Sequence, residues 1–341
     1  MEIEKEPQNP LHKISANRRL VEELYSCGRI SYEAKEYALN LLYPADKWGM
    51  WISRLLITIG SALLVCGIVY FFAFNWAKIT SVVKFSIIQL GMIICLIGAY
   101  FCTLNRISGQ LFLLSVSVLT GVFIAVFGQI YQTGADAYQL FMMWSIFTLG
   151  WTIISNFAPQ WIFWLVVTNT FFILWWNQAA LPTLEMEFMV FFFATLLNGA
   201  ALALREYFAS VKNFDWLQQK WSRVVLTLAT LIYMMIPVIA WFVEPSRATT
   251  SIILSAMLGL IGHGIAFAIY RFKLRDMWSL SATVLSACII VEVAGFKIIS
   301  EMFCNFNATM FLFAGLMTLG IFTYAIIYLR KVAQVIGEKS V

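Results

Sequence analysis

Glu292 is the only acidic residue well inside an apolar run of this 341-residue chain. A carboxylate in hydrocarbon costs about 3 kcal/mol on insertion scales, so such a residue faces a cavity or a partner and often marks an ion or proton path. His263, in the run Gly-Leu-Ile-Gly-His-Gly, is the second candidate for a relay. A single histidine with no cysteine or carboxylate at ligand spacing makes neither a zinc nor a haem site. A third group is polar and clustered: Gln129, Tyr131, Gln132, Thr133 and Asp136, with Gly134 supplying the freedom a tight turn needs. Together with Asn75 and Trp76, and with Trp144 as a wall, these residues could form a substrate-binding pocket. Each has a plainer reading too. The loop could simply cap helix ends, Glu292 could join helices, and His263 could pack among small neighbours.

The elements that must position these residues follow from composition. Hydrophobic residues make up 61% of the chain and charged residues 12%, about half the charge of a soluble domain, too little to cover a surface in water. This excludes a cytosolic enzyme, a nucleic-acid-binding module and a disulfide-stapled secreted domain. A helix crossing about 30 Å of hydrocarbon needs about 20 apolar residues. Ten such runs can be drawn, over 52–74, 82–102, 110–130, 139–157, 160–177, 187–204, 222–243, 250–270, 277–297 and 306–329. None alternates as a membrane β-strand would, so the expected fold is all-α, a polytopic helical membrane protein. The boundary between the fourth and fifth runs, where only Ala158 and Pro159 intervene, is the least defined.

With ten spans and both termini inside, all of the 23 basic residues except Lys78, Lys84, Arg247 and Lys297 fall on the cytoplasmic side, as the positive-inside rule requires. Asn75, Trp76 and the 129–138 loop then face the outer compartment, and Glu292 lies about five residues from the outer end of its span. The six cysteines show no CxxC pair and read as small apolar residues. Gln89, Asn169 and Asn198 read as interhelical glue, and the glycine pairs seven apart in the first three runs as close-packing faces. There is no GxSxG, HExxH or phosphate-binding loop motif, so neither catalytic residues nor a cofactor or metal are expected.

Residues 1–51 are near neutral in charge and have no basic segment leading into an apolar one, so no cleavable signal is expected. Ser15 could cap a helix carrying Leu20, Val21 and Leu24. Gly28 could end it, and Ser31 could cap a second helix that stops before Pro44. The expected organisation is a cytoplasmic helical hairpin over 1–51, membrane helices over 52–157 and 158–330, and a cytoplasmic tail over 331–341.

Three stretches are informative together: L-V-E-E-L-Y-S-C-G-R-I-S-Y-E-A (20–34), F-F-A-F-N-W (71–76) and G-Q-I-Y-Q-T-G-A-D-A-Y-Q-L-F-M-M-W (128–144). In order and spacing, residues 11–157 resemble the bacterial membrane-protein family catalogued as domain of unknown function 2157. The resemblance implies a multi-pass protein of the bacterial inner membrane and no particular chemistry. The leading expectation is a transporter or channel-like protein for a small solute or ion, its polar site toward the outer leaflet. The alternative is a membrane scaffold or sensor acting through its hairpin on a cytoplasmic protein or on a second copy. Nucleic acid is not an expected partner.

Overall fold

The computed structural model describes residues 18–42, 76–212, 214–303 and 308–338 and scattered positions between 49 and 74, and all its regular elements among these are helical. Contacts divide the chain into two units, Met1–Thr80 and Ser81–Val341.

The first unit contains the expected hairpin, α1 (Arg18–Ser26) and α2 (Tyr32–Leu42). The Arg29 N–H reaches back to Leu24 O at 2.9 Å across Gly28, which sits at φ +66°, a left-handed conformation natural to glycine. Ser31 Oγ accepts the Ala34 N–H at 3.2 Å, a bond that satisfies an otherwise orphaned donor of the first turn. Ser15 and most of the expected span 52–74 lie outside the described residues.

The second unit is a helical bundle. It runs α3 (Ser81–Cys102), α4 (Ile107–Tyr131), α5 (Ala137–Ile154), α6 (Ala158–Trp175), α7 (Met189–Ser210), α8 (Lys220–Val243), α9 (Thr250–Ala268), α10 (Met277–Met302) and α11 (Ala308–Glu338). Among the described residues these are nine helices long and apolar enough to cross a membrane. Wide π-type turns, Trp176–Ala180 and Ile269–Lys273, extend α6 and α9. The fourth and fifth expected spans are separate helices. Their break falls at 155–157, with Asn156 at φ 45°, and Pro159 sits in the first turn of α6, where its missing N–H leaves no bond unmade. The last helix runs eight residues past the expected end at Arg330, to Glu338, so the segment read as a tail is largely helical.

Helices α3, α4, α5 and α6 pack each on the next, whereas α7, α9 and α10 gather around α8, and α11 lies on α10. The α8 span is the most buried, 39% against 17% for α3, α5 and α11. The pattern of burial is inverted relative to a protein in water. Ser117, Thr148, Thr152, Ser279 and Thr283 are buried, while Leu, Ile and Phe side chains cover the outside. Lipid makes no demand to bury Leu and Phe, so small residues and hydrogen bonds take the helix contacts. Val238, Ala256 and Ile290 form one apolar cluster of α8, α9 and α10. Tyr270, Leu280 and Val332 form another.

Two tryptophans tie neighbouring helices. Trp144 of α5 donates its indole N–H to Ser117 O on α4, and Trp164 of α6 donates to Ser145 O on α5, both at 2.8 Å. The indole of Trp144 lies so close over Gly121 that a Cβ there would meet its ring at 2.2 Å.

Candidate functional site

The polar loop of 129–136 is built by the end of α4 and the start of α5. Gln132 ends α4 in the left-handed region (φ 44°, ψ 48°), Thr133 N–H returns to Gly128 O at 3.4 Å, and Gly134 follows at φ +63°. Asp136 stands at the N-cap of α5, exposed, its carboxylate making no capping bond. Tyr138 N–H is taken instead by Gln178 Oε1 at 3.1 Å, which joins the end of α6 to this end of the bundle. Tyr131 is exposed and stacks on Phe85 of α3 and beside Phe127, and Gln129 lies exposed in the last turn of α4. Trp144 belongs to the α4–α5 contact already described, where it faces Gly121 and Ser117. Trp76 lies in the first unit, in the short turn Trp76–Lys78. Asn75 lies outside the described residues.

Glu292 is placed deeper along its helix than its expected position near a span end. The helix α10 continues to Met302, ten residues beyond it or about 15 Å of rise, with Lys297 and Glu301 paired at 3.2 Å in the last turns. The Glu292 side chain is partly buried. Its Oε1 is in hydrogen-bond contact with Thr318 Oγ1 on α11, and its Oε2 is buried without a hydrogen-bond partner among the described residues. Because α10 packs on α8, α9 and α11 while α5 packs on α4 and α6, Asp136 and Glu292 belong to different groups of helices and share no hydrogen-bond partner among the described residues.

His263 is buried in α9. A carbonyl can only accept, so Nδ1 donates to Gly259 O at 2.8 Å, and Nε2 meets Ser286 Oγ of α10 at 2.8 Å. Neither ring nitrogen lacks a partner. The glycines around it serve packing: Gly259 lies against Met234 O of α8, where a Cβ would stand 2.4 Å away, and Gly262 against the Met234 side chain.

Two polar arrangements carry no sequence motif. Asn169 of α6 and Asn198 of α7 exchange side-chain amide bonds at 2.7 and 3.3 Å, and their remaining N–H groups go to Leu165 O and Ala194 O at 2.8 Å. At one end of the bundle, Arg223 of α8 grips Glu206 of α7 through Nε at 2.8 Å and Nη2 at 2.9 Å, and its Nη1 lies 3.6 Å from Asp276 Oδ2. Arg205 donates to Glu206 Oε1 at 2.5 Å, to Gln219 O at 2.9 Å and to Leu217 O. Two cations and two carboxylates balance there. Arg205 and Arg223 count in the sequence only as orienting charges; the signal that they do more is a carboxylate at Glu206 and another at Asp276, each beside a span end.

Residues 22–161 match the family model described as predicted membrane protein (DUF2157). The match spans the hairpin, α3 to α5 and the start of α6, and therefore includes the 129–136 loop but not His263 or Glu292. No curated protein and no solved structure is significantly similar to the chain.

Proposed function

We propose that the protein is a transporter or channel-like protein for a small solute or ion, and that Glu292 is the group through which it works. The reading is supported by one observation above others: a carboxyl group within a membrane-spanning helix has one oxygen joined to Thr318 of the next helix and the other buried and unpartnered among the described residues. A group of this kind is costly to keep in hydrocarbon. Helix packing alone would be served as well by the serines and threonines that fill the rest of the bundle.

In this reading Gln129, Tyr131 and Asp136 meet the solute at the outer face, and Trp144 supports that loop from the α4–α5 contact. His263, held between Gly259 and Ser286, would pass charge along α10 toward Glu292 or hold α9 against it. The protein would sit in a bacterial inner membrane with both termini in the cytoplasm.

The test is flux into vesicles carrying the purified full chain, over a panel of small solutes and ions. A flux lowered at least about tenfold by Glu292→Gln, and shifted in concentration dependence by Asp136→Asn, is the expected result. A flux indifferent to Glu292→Gln sinks the assignment. The second reading, a scaffold or sensor, draws on the exposed Tyr37 and Leu41 of α2. It gains if removing residues 1–51 abolishes the cellular phenotype while Glu292→Gln leaves it intact.

A further inference from the structure

The hydroxyl of Thr318 has a single hydrogen and two oxygens within reach, Ala314 O at 2.9 Å and Glu292 Oε1. It can donate to only one of them. The bond to Ala314 O is the back-bond that a threonine makes in an apolar helix, and Thr120, Thr148, Thr152 and Thr230 make the same bond at 2.7 to 2.9 Å. If the hydrogen stays on Ala314 O, the contact with Glu292 needs a hydrogen from the carboxyl side; if it turns to Glu292 Oε1, the bond to Ala314 O that the other threonines keep is given up. A carboxylate has none to give. A carboxylic acid has one.

We propose that Glu292 is a resident proton-binding site, a neutral acid whose O–H on Oε1 donates to Thr318 Oγ1, which donates in turn to the Ala314 carbonyl, and that the ion handled at this position is the proton. Two hydrogens then satisfy three oxygens. The remaining oxygen, Oε2, is buried without a partner among the described residues, which suits the carbonyl oxygen of a neutral acid far better than one end of a carboxylate.

Among the described residues the surroundings supply no counter-charge. On α10 itself Cys288 stands one turn away, and Lys297 is paired with Glu301. Across Gly295 the α11 neighbour is Met317, and where α8 and α9 meet α10 at Ile290 they bring Val238 and Ala256. The other titratable groups on these helices are Tyr233 of α8, His263 of α9, and Tyr324 and Tyr328 of α11, with His263 held by Gly259 and Ser286. The cations are remote: Lys220 and Arg223 begin α8 and Arg330 and Lys331 lie toward the end of α11, about 18 Å or more of helix rise from Glu292 and Thr318. A hard metal cation would need about six oxygen ligands. Glu292 has Thr318 beside it, and the described residues contain no group of three His, Cys, Asp or Glu side chains that could hold a metal ion.

The protonation is argued from the one hydroxyl hydrogen between two acceptors together with the buried, unpartnered Oε2; that this proton is the transported or coupled ion rests on the transport reading above. A cleft of about 460 Å³ lies between the end of α10 and the start of α11, its lining including Met317, which precedes Thr318 in the chain. It is lined by Ile299, Met302, Phe303, Phe313, Leu316 and Met317 and would admit an apolar reagent. Dicyclohexylcarbodiimide is such a reagent, and it reacts with neutral carboxylic acids. The acid oxygen bonds to the central carbon, the proton moves to nitrogen, and the acyl group then shifts from oxygen to nitrogen, so nothing leaves and nothing is oxidised.

The deciding experiment is infrared difference spectroscopy of the full chain in lipid vesicles at neutral pH. The carbonyl stretch of a neutral carboxylic acid is expected in the native protein, lost in Glu292→Gln and shifted in Thr318→Val, with Thr318→Ser restoring its position. Carboxylate bands alone in these differences overturn the proposal. Should Glu292→Gln not fold, the Thr318→Val difference decides, because it shifts an acid band in one case and a carboxylate band in the other. The carbodiimide adduct, mapped by mass spectrometry, is expected on Glu292 of the native protein; its absence there counts against the acid. A pH-sensitive dye inside the same vesicles separates the two readings. An acid band without proton flux ends the transport reading and leaves the proton site standing, whereas proton flux without an acid band ends the proton site.

Discussion

Asn169 and Asn198 show what a single polar side chain does in this bundle. Each amide donates one hydrogen across the α6–α7 contact and one to its own helix, so truncating either strands its partner in an apolar setting. Asn169→Ala or Asn198→Ala is expected to cost about 1–2 kcal/mol and the double variant little more than either alone, read as a double-mutant cycle of unfolding in detergent. Additive losses would show that the pair is not coupled. Gly121 is a steric counterpart. Gly121→Ala places a Cβ in the Trp144 ring and is expected to lower stability by about 1–3 kcal/mol, with Trp144→Phe recovering part of the loss; a neutral Gly121→Ala would mean that the two helices separate freely. The sequence marks Asn169, Asn198 and Gly121 as polar or small residues in apolar runs. It does not pair them, because a separation of 29 residues becomes a contact only through the register of two helices.

At the scale of elements, the ion network holds the ends of α7, α8 and α10 together. Glu206 is its centre, bound to Arg205 and Arg223, with side chains 3% to 18% exposed. Glu206→Ala leaves Arg205 without its carboxylate and Arg223 with only the 3.6 Å contact to Asp276, and is expected to cost about 3 kcal/mol, seen as loss of thermal stability in detergent. Asp276→Asn touches only the 3.6 Å contact and a bond from Ser279, and is expected to cost about 1 kcal/mol. Equal losses would remove Glu206 from the centre. Helix existence and most boundaries were legible, since length and hydropathy decide them. The α5–α6 break, the boundary the sequence defined least, falls at 155–157 and not at Ala158 and Pro159, because Pro159 fits the first turn of a helix.

At the scale of the whole molecule, orientation rests on charge. If both termini are cytoplasmic, a cysteine introduced at Leu184 is labelled by an impermeant reagent from outside intact cells, and one at Lys212 only after permeabilisation. The opposite labelling would invert the topology and put the 129–136 loop inside.

Composition and the unalternating apolar runs determined that the chain is a helical membrane protein, because in hydrocarbon only helices and closed barrels satisfy the backbone's polar groups and barrel strands alternate. The stretches 20–34, 71–76 and 128–144 together marked the resemblance to a membrane-protein family, and the lone carboxylate in an apolar helix marked Glu292 as a residue to explain. Only the tertiary structure decided who its neighbours are. Thr318 lies 26 residues away on the next helix, Asp136 stands on a different group of helices, and Arg205 and Arg223 face carboxylates as well as a membrane surface. Hydropathy is a property of each residue and survives in the string. Hydrogen bonds between helices depend on rotation and register, which packing alone sets.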